Sequence, residues 1–465
     1  MPRKIVVVGA GSTGFQLARQ LIADNQDVTL VERNADTAKY ALNHLDCMVI
    51  TGAGNDLRLL RRAGIQDAEF FIALTDSDEF NMVACGLASR EFSVPFKIAR
   101  VRNQQYHARS HLFDGSMLDI DYIVNPEIEA GRAIVQTVEH GATSEVVTLG
   151  DTDIEMRVLP IMGDSAFCNR TIAQARAELP LEFLVCGLLR GERFYLPRGD
   201  TRVREGDELY LSASEEVLDQ LFDRAGRPKL RMRQVILVGG GRVGSFVAES
   251  LIESRERGGR LRLLRAFARR RRLKIIESDT ARSKALADRF PGAIVINSDI
   301  SDEGFFEEES LKDHDLIITT TANQELNILA AIYAKTYGIK RSIALVNRYN
   351  YLTLANRLGV DVIISPKNSV VSAVLRIVRR GRVRSVASLF GGQAEVIEST
   401  VEDASRMAGR RIQELSLPEE SLIVSVRRDG ETLLPRGDLV VQDADRLTII
   451  ARTDAIGRVE ELFDS

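Results

Sequence analysis

The first third of the chain alternates short apolar runs, at residues 5–8, 28–31, 48–50, 70–74, 98–101 and 122–124, with segments such as 15–23, 81–90 and 127–138 whose apolar positions recur every three or four residues. Continuous apolar runs of strand length predict strands buried on both faces, and the longer spacing predicts amphipathic helices that cover them. The alternation therefore predicts an α/β unit with six strands in a Rossmann-like, doubly wound parallel sheet. From about residue 143 to 224 the rhythm changes to short β-rich runs broken by Gly150-Asp151, Gly163-Asp164, Gly199-Asp200 and Gly206-Asp207. That pattern predicts a small α+β domain.

The whole pattern then occurs a second time. Ile5-Val6-Val7-Val8-Gly9-Ala10-Gly11-Ser12-Thr13-Gly14 aligns with Val235-Ile236-Leu237-Val238-Gly239-Gly240-Gly241-Arg242-Val243-Gly244. In the same order, Ile72-Ala73-Leu74-Thr75 with Glu79 and Asn81 matches Ile318-Thr319-Thr320-Thr321 with Glu325 and Asn327. Asp121 through Pro126 matches Asp361 through Pro366, and Leu196-Pro197-Arg198-Gly199-Asp200 matches Leu434-Pro435-Arg436-Gly437-Asp438. Blocks aligned in order with small shifts are the mark of internal duplication. Four domains are expected: Rossmann-like units at 1–142 and 231–382, each followed by a small α+β domain, at 143–230 and 383–465. The two Leu-Pro-Arg-Gly-Asp blocks read as hairpin turns.

Composition narrows the possibilities. A chain of 465 residues exceeds one ordinary core, in keeping with several domains. Hydrophobic residues at 45% and charged ones at 28% exclude disorder as the main state. The 62 basic and 66 acidic residues give a net charge of −4, so no global basic field exists and nucleic acid is not an expected partner. Cys47, Cys85, Cys168 and Cys186 form no CxxC pair, which argues against a disulfide framework or zinc cluster and for a reducing cytosol. No run of about 18 apolar residues occurs, and Met1-Pro2-Arg3-Lys4 leads straight into a strand, so neither export nor a membrane span is expected.

Candidate chemistry centres on Gly9-Ala10-Gly11-Ser12-Thr13-Gly14. The glycines of this loop, between the first strand and first helix, suit a tight turn, close phosphate approach and helix packing. Glu32 ends the second strand, where a carboxylate accepts from ribose hydroxyls and repels a 2′-phosphate. NAD(H) or an adenosine nucleotide is therefore favoured over NADP(H), although Arg33 stands beside it. Past the fourth strand, Asp76 and Glu79 read as a helix cap with a capping-box partner, and Thr75, Asp76 and Glu79 also border the expected nucleotide. Arg100 and Arg102 leave the fifth strand on the same edge, where paired guanidinium donors suit phosphate.

Catalytic and metal chemistry find little support. His107 and His111 share a helical face if that segment is helical, but no third ligand accompanies them, and no metal is expected. His44, His140 and His314 are isolated, and no serine elbow, Schiff-base lysine or cysteine–histidine pair is evident. No catalytic residue is assigned.

These residues together resemble one family. The Gly9–Gly14 loop, Val31-Glu32-Arg33, Val49-Ile50-Thr51-Gly52 and the segment from Ala73 through Ala84 are similar to the N-terminal domain of the TrkA regulators of Trk potassium uptake. The tandem order is that of paired RCK domains, and the resemblance covers essentially the whole chain. It implies a cytosolic regulator, peripheral at the inner membrane face, that docks on an integral membrane potassium transporter of the Trk type. It also implies a homotetramer forming a ring of eight RCK units, with NAD(H) and/or ATP/ADP as regulatory ligands.

The resemblance carries the nucleotide contacts onto Gly9, Gly11, Gly14 and Glu32, with Arg100 beside them, and in the second copy onto Gly239, Gly241, Gly244 and Glu277. The second copy departs from the pattern. A stretch rich in arginine separates Gly244 from Glu277, Asn297-Ser298-Asp299 replaces the glycine region after the third strand, and Thr320-Thr321-Ala322-Asn323 lacks the acidic run. Whether this site binds, and which nucleotide, stays open. Arg242, in place of Ser12, reads either as a contact to a terminal phosphate or as surface charge.

Two function classes compete. An NAD-dependent oxidoreductase needs an acid–base or hydride-positioning constellation, and neither small domain supplies one. A regulator needs only binding sites whose ligands distinguish conformations, and it is the favoured reading. A redox-sensing repressor ranks below both, since no helix-turn-helix is visible. The insertion at 255–272 reads as a solvated loop or, with Leu261, Leu263, Leu264 and Phe267 among its arginines, as a basic amphipathic helix on anionic lipid.

Overall fold

A computed structural model describes residues 2–107, 118–139, 146–148, 154–163, 165–191, 193–225, 232–253, 272–302, 305–308, 313–378, 383–389, 393–402 and 405–463. The insertion at 255–272, Arg272 apart, and His111 and His140 lie outside the described residues. The chain forms two compact units that are not sequential. Met1–Thr143 joins Arg231–Val378 in one, and Ser144–Leu230 joins Arg379–Ser465 in the other.

In the first unit, strands β1 (Lys4–Val8), β2 (Asp27–Glu32), β3 (Met48–Thr51), β4 (Phe70–Ala73), β5 (Phe96–Arg100) and β6 (Tyr122–Val124) form a parallel sheet of order β3-β2-β1-β4-β5-β6. Ile5, Val6, Val7 and Val8 are buried, as a strand covered on both faces must be. The strand order reverses between β1 and β4, and the carboxyl ends there open the crevice where such sheets bind ligands.

Chain order next brings the small sheet of the second unit, with β7 (Val146–Thr148), β8 (Ile154–Pro160), β9 (Leu184–Arg190), β10 (Arg193–Tyr195) and β11 (Glu208–Ser214) in order β10-β9-β11-β8-β7. The second copy repeats both. β12 (Gln234–Val238), β13 (Arg272–Glu277), β14 (Ile294–Asn297), β15 (Leu316–Thr319), β16 (Arg341–Leu345) and β17 (Val362–Ile364) run β14-β13-β12-β15-β16-β17. β18 (Val383–Leu389), β19 (Ala394–Thr400), β20 (Ser421–Arg428), β21 (Glu431–Leu433) and β22 (Arg446–Arg452) run β18-β19-β22-β20-β21. The α/β duplication expected from the sequence is thus the fold.

Within the first unit the copies meet through equivalent helices. The glycine-loop helix Ser12–Ala23 packs on the closing helix of the second copy, Pro366–Val378, and Arg242–Glu253 packs on the first copy's closing helix, Pro126–Glu139. The two closing helices also pack on each other. Val370, Val371, Val374 and Val378 share one core with Ile5, Leu17 and Leu21, so each glycine-loop helix leans on the other copy. Gly131 permits this approach, because a Cβ there would stand 2.4 Å from the Phe246 ring.

In the second unit, Ile154, Met156 and Cys186 of one small domain share an apolar core with Ala394, Val396, Val424 and Ile450 of the other. The Leu-Pro-Arg-Gly-Asp blocks are reverse turns rather than hairpins. Thr201 N donates to Arg198 O at 3.0 Å and Leu439 N to Arg436 O at 3.0 Å. The flanks do not pair with one another, since β10 pairs β9 and Arg202 bridges Thr171. Sequence reads the turn chemistry but not the partner of the emerging strand. Arg198 pairs with Glu419 at 3.3 Å and Arg436 with Glu182, each across to the other small domain.

Candidate functional site

The first glycine loop is built by three different constraints. Gly9 has φ +98°, a conformation that favours glycine, and its amide donates to Val31 O at 2.8 Å. A Cβ at Gly14 would stand 1.9 Å from Gly9 O, so the helix Ser12–Ala23 starts against the loop only without one. At Gly11 no atom lies within 4 Å of an added Cβ, so the middle of the loop faces open space. Ser12 and Thr13 begin the helix, whose first amides and dipole favour an anion.

Glu32 closes the loop from β2. One oxygen accepts from Ala10 N at 2.7 Å and the other from Asn34 N at 2.8 Å. Two of roughly four acceptor positions on a carboxylate are thereby used, leaving capacity for ribose hydroxyls.

Across the crevice, Thr75 is fastened rather than free. Its amide and hydroxyl both donate to Asn81 Oδ1, at 2.9 and 2.7 Å. Arg100 is buried, and its Nη1 donates to Thr75 O at 2.8 Å and to Asp76 Oδ1 at 3.3 Å. Its Nε is buried with no partner among the described residues. Burial, and then the adjacent Arg102, push the Arg100 pKa down, against Asp76 and Glu127. An orphaned buried donor beside an open glycine loop fits a phosphate-bearing ligand.

Asp76 is not the helix cap. Ser77 is, accepting from Phe80 N at 3.2 Å, and the helix begins at Asp78. That start moves Glu79 out of capping-box register, and Asp76 instead pairs with Arg100 and, at 3.6 Å, with Arg102. The two arginines draw Asp76 toward β5, and the Ser77 hydroxyl takes the cap.

The second site repeats the frame with different contents. Gly239 has φ +92°, a Cβ at Gly244 would stand 1.9 Å from Gly239 O, and Gly241 faces open space. Glu277 accepts from Gly240 N at 2.8 Å and Asp279 N at 2.9 Å, as Glu32 does from Ala10 and Asn34. Leu286 fills the room left by glycine at 240, where a Cβ would meet its methyl at 2.1 Å. Asn297 binds Glu277 O and Ser278 O at 2.9 and 3.0 Å, steadying the turn without a glycine. Leu345 occupies the place of Arg100, since Asn327 reaches Leu345 O as Asn81 reaches Arg100 O. Arg242 is largely exposed and lies 3.8 Å from Glu127 of the first copy.

Sequence reasoning therefore located both loops and both carboxylates but missed four participants. Asn81 and Asn327 were visible only as markers of the repeat, and Arg282 and Leu286 gave no signal, because their roles depend on which way a helix face turns. Among the described residues no group of three or more His, Cys, Asp and Glu side chains could hold a metal.

The fold and its two loops define a class: tandem dinucleotide-type domains, each followed by a small α+β domain, within one chain. The TrkA-N domain model matches residues 5–126 and 235–366, and the TrkA-C domain model matches 156–226 and 396–464. The chain belongs to the TrkA family of Trk potassium uptake proteins. It is 32% identical over 464 residues to the Trk system potassium uptake protein TrkA of Azorhizobium caulinodans, covering 99% of this chain and 98% of that protein. The TrkA homolog of Archaeoglobus fulgidus is 30% identical over 461 residues, with 99% and 100% covered. Among solved structures, the GsuK channel bound to NAD is similar at a TM-score of 0.55 and 18% identity, covering 100% of this chain and 79% of that one, and the GsuK RCK domain gives 0.55 and 18%, covering 100% and 95%. At that identity the likeness speaks to the fold.

Proposed function

We propose that this chain is the nucleotide-binding regulatory subunit of a Trk-type potassium uptake system, taking NAD(H) and/or ATP/ADP as regulatory ligands and acting on a membrane transporter rather than catalysing a reaction. One observation carries the nucleotide reading: an open glycine loop closed by the Glu32 carboxylate, with the buried Arg100 holding an unused donor beside it. The contacts are assigned to Gly9, Ala10, Gly11, Ser12, Thr13, Gly14, Glu32, Thr75, Asp76 and Arg100. Their counterparts in the second copy are Gly239, Gly241, Arg242, Gly244 and Glu277. Thr75 contributes through its backbone, its hydroxyl being held by Asn81.

In this mechanism the phosphates lie against the first turn of Ser12–Ala23, the ribose meets Glu32, and Arg100 exchanges its hold on Asp76 for phosphate. Each glycine-loop helix packs on the closing helix of the other copy, so a ligand that draws a loop inward acts directly on the packing between copies. Such a ligand shifts the equilibrium by its difference in affinity between the two arrangements.

No helix among the described residues is long and apolar enough to cross a membrane. In the proposed reading the subunit acts on the transporter by docking at its cytoplasmic face, peripheral to the membrane. What supports a homotetrameric ring of eight units is an exposed apolar position shared by both copies, Val83 and Leu329, with Tyr333 exposed one turn beyond Leu329. Val83 is 49% exposed on the helix Asp78–Phe92, and Leu329 and Tyr333 are 63% and 51% exposed on Gln324–Thr336. The arginines at 255–272 supply a further contact to anionic lipid.

The deciding experiment is calorimetry with NADH and ATP on the intact chain and on Glu32→Ala. Loss of about 1–3 kcal/mol in the variant is expected if a charged hydrogen bond to ribose is removed. Unchanged affinities would remove the site assignment, and turnover of NADH with a substrate would restore the oxidoreductase reading.

A further inference from the structure

The two nucleotide sites place their cations at opposite ends of the groove. In the first, the buried cation is Arg100 at the end of β5, and at the β2 end Glu32 accepts from the backbone amides of Ala10 and Asn34, with Arg33 exposed beside it. In the second, Leu345 takes the place of Arg100, and a cation appears at the other end. Arg282 Nη1 stands 3.4 Å from Glu277 Oε1 and 3.3 Å from Oε2. The equivalent residue of the first copy, five past the glutamate in each, is Thr37, whose hydroxyl is spent on Asn34.

We infer that Arg282 is a specificity-determining residue that fits the second site to a dinucleotide bearing a 2′-phosphate on its adenosine ribose, a ligand the first site disfavours. The inference rests on the nucleotide-binding reading of the loops. In a dinucleotide fold the carboxylate at the end of the second strand meets the ribose 2′-hydroxyl, and an arginine nearby accommodates a 2′-phosphate. Glu32 presents its charge without such a partner, so a second anion on the ribose is repelled. Glu277 is offset by a guanidinium that touches it through one nitrogen only. The side chain of Arg282 is 52% exposed and meets Glu277 through Nη1 alone, so its remaining donors are accessible to an added phosphate. Asn297 holds the backbone of Glu277 and Ser278, which leaves Arg282 as the adjustable element.

The test isolates each site in the full chain. Gly11→Val closes the first loop and Gly241→Val the second, at positions where the added side chain meets open space in the protein alone. NADH and NADPH are titrated calorimetrically at fixed salt. At the second site NADPH is expected to bind within about threefold of NADH, and at the first at least about tenfold more weakly. Arg282→Thr in the Gly11→Val background should bring that tenfold penalty to the second site, Arg282→Lys should keep most of the tolerance, and Thr37→Arg should relax the first site. An NADPH-to-NADH ratio that Arg282→Thr leaves unchanged would overturn the inference while NADH binding upheld the nucleotide reading. Absence of both ligands from the Gly11→Val protein would instead remove the nucleotide reading of the second copy, and the inference with it.

Discussion

Asn81 and Asn327 make the same four hydrogen bonds in the two copies. Asn81 accepts from the Thr75 amide and hydroxyl and donates to Thr75 O and Arg100 O, and Asn327 does the same with Thr321 and Leu345 O. Each asparagine is buried and ties the ends of two neighbouring strands at the mouth of the crevice. Replacing Asn81 with Ala leaves several groups unpaired, at about 1–3 kcal/mol for each one stranded. Hydrogen exchange at the Thr75 and Val101 amides should accelerate, with little change in the second copy. Unaltered exchange at Thr75 would show the bonds to be dispensable.

Glycines 11 and 14 should separate fold from binding. Gly14→Ala forces a Cβ against a carbonyl at 1.9 Å and should lower the melting temperature of the first unit by several degrees. Gly11→Ala meets nothing within 4 Å and should melt as the unaltered chain does while binding nucleotide less tightly. Equal melting of the two variants would contradict the steric assignment.

The small domains carry a duplicated ion pair. Arg190 makes two bonds to Asp207, at 2.8 and 2.7 Å, and Arg428 makes two to Asp445 at the same distances. Each aspartate is 1% exposed, so Arg190→Met leaves a buried carboxylate uncompensated and should cost about 3 kcal/mol. Arg198→Ala removes an exposed pair with Glu419 and should change stability by less than about 1 kcal/mol. Denaturant midpoints of the two variants provide the comparison.

Acid should weaken both units. Burial by itself raises the Asp207, Asp315 and Asp361 carboxyls, but hydrogen bonds from Arg190, from Lys340 and from Arg341 outweigh it and hold all three below the ordinary value. A depressed folded pKa gives stabilisation that is complete above the unfolded value, about 3.9, and is lost as pH falls through the folded one. Melting temperature should therefore change little from these groups between pH 7 and 5 and fall below about pH 4. Asp207→Asn should flatten that fall, and an unchanged slope would assign the acid sensitivity elsewhere.

The exposed apolar pair on Gln324–Thr336 tests the ring. Leu329→Asp with Tyr333→Asp puts charge on a surface that a partner would cover, and light scattering should report smaller particles. Retention of the parent mass would place the subunit contacts elsewhere.

The apolar pattern specified which segments of each copy are strands and where the glycine loops follow them. Ile5–Val8 and Val235–Val238 are continuous, Gly9 and Gly239 follow at once, and a strand–glycine–helix sequence can close sterically in few ways. Glu32 and Glu277 were legible for the same reason, since strand length fixes which residue ends beside the loop. The cap at Ser77 was not, because Asp76, Ser77 and Asp78 all have capping chemistry and only the position of Arg100 and Arg102 decides among them.

The sequence thus determined the duplicated α/β architecture and the two loops with a carboxylate at the end of the second strand, because strand length, glycine position and the repeat are all written in the order of residues. Tertiary structure alone decided that the nucleotide-type domains join each other rather than their own small domains, and that each glycine-loop helix leans on the opposite copy. It also decided that a buried arginine, Arg100, meets Thr75 in the first copy while Arg282 meets Glu277 in the second. These outcomes depend on which faces meet across distant segments, and a helical repeat states that a face is apolar without stating what will cover it.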